Sequence, residues 1–305
     1  MEQKPNISNS TSFALAGKVK DYFVLIKFTL SFLVSFSAVV SFLIAPYQQV
    51  YTRSTLSLVL LLFIAGMLIT GAANGINQAA EKDTDALMRR TAKRPVASGK
   101  MKPLEAYIFS AICVSLGLAM MWYFFNLQSA AISAFSFFLY AFIYTPLKKI
   151  NSISVLVGAV PGALPCLIGW VAATNSFSMG GWVLFAIQFL WQFPHFWAIA
   201  WLAHGDYTKA GFKLLPSEKG PTKFTAVQSI IYSVMMVPIG FLPYIFGISG
   251  LASLFILLVC NLWMVYVSVM LYRKMTPKSA RMVMFSAYFY LMIVLLSLYA
   301  DKVKI

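Results

Sequence analysis

The sequence predicts an all-α, polytopic membrane bundle of about nine transmembrane helices. Three observations carry that expectation. Sixty per cent of the residues are apolar and the mean hydropathy is +0.78, more than a soluble domain can bury. Only 11% are charged, and the charges gather in short clusters between apolar runs. Each run approaches the roughly 20 residues that cross a hydrocarbon core.

In chain order, the expected spans cover residues 22–45, 55–79, 104–125, 129–146, 153–173, 181–203, 225–246, 250–271 and 282–300. Gly, Pro or charge clusters punctuate every gap, and no gap is long enough for a soluble domain. A polar segment, residues 1–20, therefore precedes one transmembrane domain, residues 21–305, with no convincing internal repeat. No cleavable signal pattern follows the polar segment. An organelle transit peptide would be rich in Arg and poor in acids, whereas this stretch has no Arg and contains Glu2. A bacterial plasma membrane is the simplest home. Cys113, Cys166 and Cys260 lie in apolar runs without CxxC spacing and read as core residues.

The balance of 24 Lys+Arg against 9 Asp+Glu gives a net charge of +15. In this apolar chain that excess reads as anchoring to an anionic membrane face, with no nucleic-acid partner. With the N-terminus inside, the inner segments collect Lys4, Lys18 and Lys20, the bases from Lys82 to Lys102, Lys148 and Lys149, those from Lys209 to Lys223, and those from Arg273 to Arg281. Outside fall Arg53, Lys302 and Lys304, with Lys27 left inside the first span. The asymmetry supports an odd number of helices, with the C-terminus outside.

Residues 77–95, NQAAEKDTDALMRRTAKRP, pack three acids and five bases into nineteen positions. At about 100° per residue, Asn74, Asn77, Glu81, Asp85 and Met88 share one stripe if the second helix continues past its apolar run, and Asp83 points elsewhere. Asp206 ends the sixth span on the same side of the membrane. Carboxylate and amide oxygens at the mouth of a bundle suit Mg²⁺, which commonly takes one or two carboxylates and completes its shell with substrate phosphates. Arg89, Arg90 and Arg94 have the planar geometry to clamp those phosphates. The competing reading is a solvated loop obeying the positive-inside rule, but acids contribute little to orientation and their spacing is not needed for solubility.

The run Asn77, Glu81, Asp83, Asp85, Met88, Arg90, Thr91, Arg94, Pro95 and Gly99 resembles the first signature of the UbiA superfamily of intramembrane prenyltransferases, in its protohaem IX farnesyltransferase (haem O synthase) branch. YTPLKK (144–149), GALPCLIGW (162–170), WQFPHFWAIA (191–200) and GDYTKAGFKLLP (205–216) point the same way. The general superfamily pattern is N-D-x-x-D-x-x-x-D, and this chain has Gln78 and Glu81 at its first two Asp positions, a departure shared with that branch. It also has Gly205 where a second acid is usual, Lys213 in place of a Pro, and Lys27-Phe28-Thr29 in place of Lys-Pro-Arg.

The resemblance implies transfer of a farnesyl group from farnesyl diphosphate to a vinyl group of haem B, with water addition, to give haem O. It implies Mg²⁺ as cofactor, held by Glu81, Asp85 and Asp206 with Asn77 as oxygen ligand or orienting group, and with Asp83 the weaker candidate. Arg90, Arg94, Tyr144 and Lys148 would bind the diphosphate, and haem A synthase or a terminal-oxidase assembly is a candidate partner. His195, an ionisable residue within a span, is a functional candidate that would ligate haem iron or position the quenching water; the alternative is a histidine hydrogen-bonded to a neighbouring helix. His204 reads as interfacial. Trp191, Phe193, Phe196, Trp197 and Trp201 read either as porphyrin contacts or, more simply, as lipid contacts. Gly158, Pro161, Gly162, Pro165 and Gly169 read as close helix packing. Three rivals remain: a UbiA-type enzyme acting on an aromatic quinone precursor, a cation-coupled transporter, and a catalytically silent oxidase assembly factor.

Overall fold

A computed structural model describes residues 7–46, 53–217 and 219–303. Glu2, Lys4 and Lys304, which entered the reading of orientation, lie outside them. Among the described residues, eight helices are long and apolar enough to cross a membrane, or nine if a bent pair at the start counts as one span. That pair is α1 (Ile7–Leu25) and α2 (Phe28–Ile44), bent by 54° between Leu25 and Phe28. The first expected span is thus two helices meeting at an angle. Lys27 takes a left-handed conformation at the break, φ 47° and ψ 59°. The Gln78 side chain donates to the Val24 and Leu25 carbonyls, each at 2.9 Å; Val24 also accepts from the Lys27 amide at 3.1 Å, so Leu25 is the one that depends on Gln78.

The helix α3 (Thr55–Ala80), started by the Ser54 side-chain cap, runs on after a single-residue break at Glu81 into the short α4 (Lys82–Leu87). Then come α5 (Pro103–Phe124) and α6 (Leu127–Phe138), which passes through a π-helical turn, Leu139–Tyr144, into α7 (Thr145–Leu147). After α8 (Ser154–Thr174) and α9 (Met179–Leu202), a short α10 (His204–Lys209) leads through a loop to α11 (Lys223–Ile239) and α12 (Leu242–Ile245). The chain closes with α13 (Leu251–Lys274) and α14 (Pro277–Ala300).

Packing runs α3 on α5, α2 on α8, α8 on α9, α9 on α14 and α11, and α11 on α13. The centre belongs to α8 and α9, the two most buried spans. Small residues bring α8 close: a Cβ on Gly169 would collide with the Ala38 carbonyl of α2, and one on Gly162 with the Gln192 side chain of α9. Proline breaks in the backbone ladder are repaired locally. Pro165 cannot donate to the Pro161 carbonyl, which accepts instead from Ser136 Oγ at 3.3 Å. Gln188 and Gln192 donate to the Gly162 and Ala159 carbonyls at 2.9 and 3.1 Å.

Phe193, Trp197 and Trp201 are buried, with Phe193 stacked on Tyr232 at 4.0 Å, so these rings are core. The simpler expectation of lipid contact is corrected for them: they sit on the faces of α9 that its helical neighbours cover. Trp191 Nε1 donates to the Ala287 carbonyl at 2.6 Å, tying α9 to α14. Gly169→Leu is expected to lower unfolding stability by about 1–3 kcal/mol or more through overpacking against α2. Gly17→Ala, which meets nothing within 4 Å, serves as the neutral control. Thermal unfolding in detergent, followed by tryptophan fluorescence, reads both.

Candidate active site

Where α3 runs out of apolar residues, its polar stripe turns inward. Asn74, Asn77, Glu81, Asp85 and Met88 are all buried, while Asp83 is exposed. The break at Glu81 costs little alignment, because the Asp85 amide still donates to the Glu81 carbonyl at 2.7 Å. Carboxylates in such surroundings need partners. Glu81 Oε1 lies 2.5 Å from Lys148 Nζ, and Asp85 Oδ2 lies 2.7 Å from the Arg94 guanidinium. The Glu81 contact is a close charge pair whose angle falls outside hydrogen-bond geometry, whereas Arg94 donates a well-formed hydrogen bond.

The loop after α4 folds back to deliver Arg94. Thr91 Oγ1 donates to the Asp85 carbonyl at 2.8 Å, the Arg94 amide donates to the Thr91 carbonyl at 2.9 Å, and Gly99 turns the chain at φ 78°. Lys148 arrives from the other side of the bundle. The π-helical turn before α7 shifts the register of the helix end, a device often found at functional sites. Tyr144, at the end of that turn, packs so closely over α8 that a Cβ on Gly158 would collide with its ring. Lys148 Nζ lies 4.9 Å from the Tyr144 ring centre and 5.3 Å from that of Phe212, so two aromatic faces cover the ammonium.

Lys27, whose role the sequence left open, completes this cluster. From the break between α1 and α2 its Nζ reaches Asn77 Oδ1 at 2.9 Å, and it lies in the field of Arg94, Lys148, Glu81 and Asp85. Asn77 Nδ2 donates to Thr145 Oγ1 at 3.3 Å, which fixes the amide between two helices. Thr145 was legible only as part of YTPLKK, and its contact with Asn77 had no signal in the sequence. Asn74 donates to Ser31 Oγ at 3.2 Å and accepts from Tyr140 at 3.3 Å. Gln78 stands where the superfamily pattern has an acid, and the reason is visible: it donates to two carbonyls at the end of α1, which a carboxylate cannot do.

Not every candidate joins this cluster. Asp206, half-buried on α10, lines a neighbouring cavity of about 660 Å³ with Arg89, Arg90, Leu202, Ala203, Gly205 and Lys209. Arg90 donates to the Tyr207 hydroxyl at 3.2 Å. Met88, Ala210 and Phe212 pack in one apolar cluster with Tyr207 beside them, and Phe212 also meets the Lys148 ammonium, so the cavity adjoins the buried ion pairs. His195 lies on α9, 7% exposed, stacked on Trp191 at 5.3 Å and edge-on to Tyr288 at 4.8 Å. Its Nδ1 has no hydrogen-bond partner among the described residues, while the imidazole interacts with the Met284 backbone of α14, the neighbouring helix.

Among the described residues, no three His, Cys, Asp or Glu side chains converge as a complete metal cluster. Glu81 and Asp85 nevertheless fit a hard cation that draws the rest of its shell from a substrate. Asp85 Oδ1 is buried without a hydrogen-bond partner, an acceptor with unused capacity. Asp206 faces a different space. Asn77 Oδ1 is engaged by Lys27, which makes this amide an orienting group in the arrangement seen.

Residues 33–293 match the model of the UbiA prenyltransferase family. The chain belongs to that family. A protoheme IX farnesyltransferase of Cytophaga hutchinsonii is 43% identical over 289 residues, 95% of this chain and 100% of that one. A solved digeranylgeranylglyceryl phosphate synthase superposes with a TM-score of 0.76 at 24% identity, over 93% of this chain and 98% of that one. A UbiA homologue from Archaeoglobus fulgidus, solved bound to GPP and Mg²⁺, gives a TM-score of 0.61 at 16% identity, over 92% and 99%. At these identities the two solved structures establish the shared fold: a polytopic helical membrane bundle.

The buried Glu81–Lys148 pair generates a stability prediction for this UbiA-family chain. Glu81→Gln or Lys148→Met alone is expected to cost about 3–5 kcal/mol, because each leaves a charge buried without its partner. The double variant is expected to cost less than the sum of the two. A double-mutant cycle read by chemical unfolding in detergent checks it.

Proposed function

We propose that this chain transfers the farnesyl group of farnesyl diphosphate to a vinyl group of haem B, with addition of water, giving haem O. The 43% identity to a protoheme IX farnesyltransferase supports the substrates. The observation that carries the chemistry is the pairing of buried acids with buried bases at the end of α3.

Breaking the bond between C1 of the farnesyl group and its bridging oxygen sends the electron pair away with diphosphate and leaves an allylic cation. That charge separation is favourable only where the leaving anion meets fixed positive charge. Arg94 and Lys148 supply it, with Arg90 at the entrance and the Tyr144 hydroxyl as a further donor. An incoming diphosphate competes with Glu81 and Asp85 for these bases, so binding exchanges one set of charge pairs for another. The carboxylates so released are suited to hold Mg²⁺ together with the diphosphate oxygens, and Asp206 is the ligand available from across the cavity. Bound there, Mg²⁺ would supply charge neutralisation for the leaving group. Lys27 orients Asn77 and adds positive charge behind the site.

The C15 tail lies among the apolar helices, where little water can intercept the allylic cation. The vinyl π electrons attack C1, forming the new C–C bond and moving the positive charge onto the porphyrin substituent. Water adds there and gives up a proton to the diphosphate or to solvent, leaving a hydroxyethylfarnesyl group. No redox step occurs. His195, with Nδ1 open, is suited to ligate the haem iron or to position that water. The bases between the spans support a cytoplasmic N-terminus and an outer C-terminus in a bacterial plasma membrane, which puts the ion pairs on the cytoplasmic side.

Purified protein incubated with haem B, farnesyl diphosphate and Mg²⁺ is expected to yield haem O, identified by mass. Glu81→Ala and Asp85→Ala are each expected to lower turnover by about a hundredfold or more while the protein still inserts; full turnover in both would remove these side chains from the chemistry. His195→Ala is expected to weaken haem binding and leave farnesyl diphosphate binding intact, which haem absorbance titration and isothermal calorimetry separate.

A further inference from the structure

The cavity around Asp206 holds more positive charge than the farnesyl diphosphate reading uses. Arg94 and Lys148 are paired with Asp85 and Glu81, the set assigned to the diphosphate, and Arg90 is tied to Tyr207. Arg89 and Lys209 remain. Both are exposed, both line the same space of about 660 Å³, and neither forms an ion pair among the described residues. They enter from separate segments, Arg89 from the loop after α4 and Lys209 from the end of α10, so two positive groups border a concave space facing an aqueous edge. A concave site of that charge takes an anion larger than a single phosphate.

The acceptor offers a matching pair. Haem B carries two carboxylates on one side of its macrocycle and its vinyl groups on the other, with an apolar ring between. A bilayer edge orients such a molecule with its carboxylates toward water and its vinyl side toward the hydrocarbon. One border of the cavity is the end of α9. Leu202, which lines it, is seven residues from His195 on α9, two turns away on the same face and about 10 Å along the axis. His195 Nδ1 is buried there with no partner among the described residues.

We propose that Arg89 and Lys209 bind the two carboxylates of the tetrapyrrole acceptor at the mouth of this cavity. This rests on the reading of haem B as the acceptor. The arrangement gives each substrate its own cationic group: the diphosphate takes the buried pair, and the carboxylates take the exposed one.

The test uses the full-length protein in detergent with two acceptors, haem B and its dimethyl ester, in which both carboxylates are blocked. Arg89→Glu/Lys209→Glu is expected to raise the haem B concentration for half-maximal rate about tenfold, with that for farnesyl diphosphate unchanged. Wild type and variant alike are expected to use the diester with a similarly raised requirement, since the blocked carboxylates offer the two bases nothing to pair with. Equal effects on diacid and diester, or a shift in the farnesyl diphosphate requirement, would overturn the assignment while leaving haem farnesylation standing. Failure of the wild type to convert either haem overturns both.

Discussion

Buried pairing of opposite charges at the end of α3 sets the terms for the rest of this bundle. Taking a carboxylate or an ammonium out of water costs several kcal/mol per ion, and mutual attraction rarely returns more than that. Glu81 with Lys148 and Asp85 with Arg94 are therefore poor devices for stability. What they do is keep charged groups at fixed positions in a water-poor place, and on the proposed function those are the cations a diphosphate would meet. The surrounding structure carries the cost. Thr91 holds the loop that brings Arg94, two rings cover Lys148, and Thr145 and Lys27 fix Asn77 from opposite sides.

Delivering those groups requires interrupted helices. A regular helix end would carry Lys148 in a different direction, and the π-helical turn before it supplies the offset. Lys27 reaches Asn77 only because the chain breaks between α1 and α2 and holds Lys27 left-handed. Within a membrane such breaks are tolerated when the freed backbone groups find partners. Gln78 provides one for the Leu25 carbonyl, and Ser136 repairs the gap left by Pro165. The small residues of α8 serve the same end from the other side, since Gly158 leaves the space that Tyr144 fills.

Gln78 shows how one position can leave a family pattern without losing the site. The superfamily pattern that this stretch resembles has an Asp at this one position, while Glu81 and Asp85 keep carboxylates at the other two. In this chain the position faces the end of α1, where the need is for a donor of two hydrogen bonds. Glu81 and Asp85, one turn apart, keep the carboxylates where the bases arrive.

The sequence by itself determined the membrane bundle, the span order and the stripe from Asn74 to Met88. These follow from hydropathy and helical period, which depend only on neighbours along the chain. It also singled out Lys148, Tyr144 and Arg94, through motifs. The tertiary structure alone decided which charge pairs with which. Glu81 and Lys148 are far apart in sequence, and their meeting depends on a π-helical turn that composition does not encode. It likewise set Asp206 and Arg90 on the lining of the adjoining cavity, gave Lys27 and Thr145 their contacts, and turned Phe193, Trp197 and Trp201 into core. Each outcome depends on how helices rotate and bend against one another, a property of the packed bundle that no local pattern fixes.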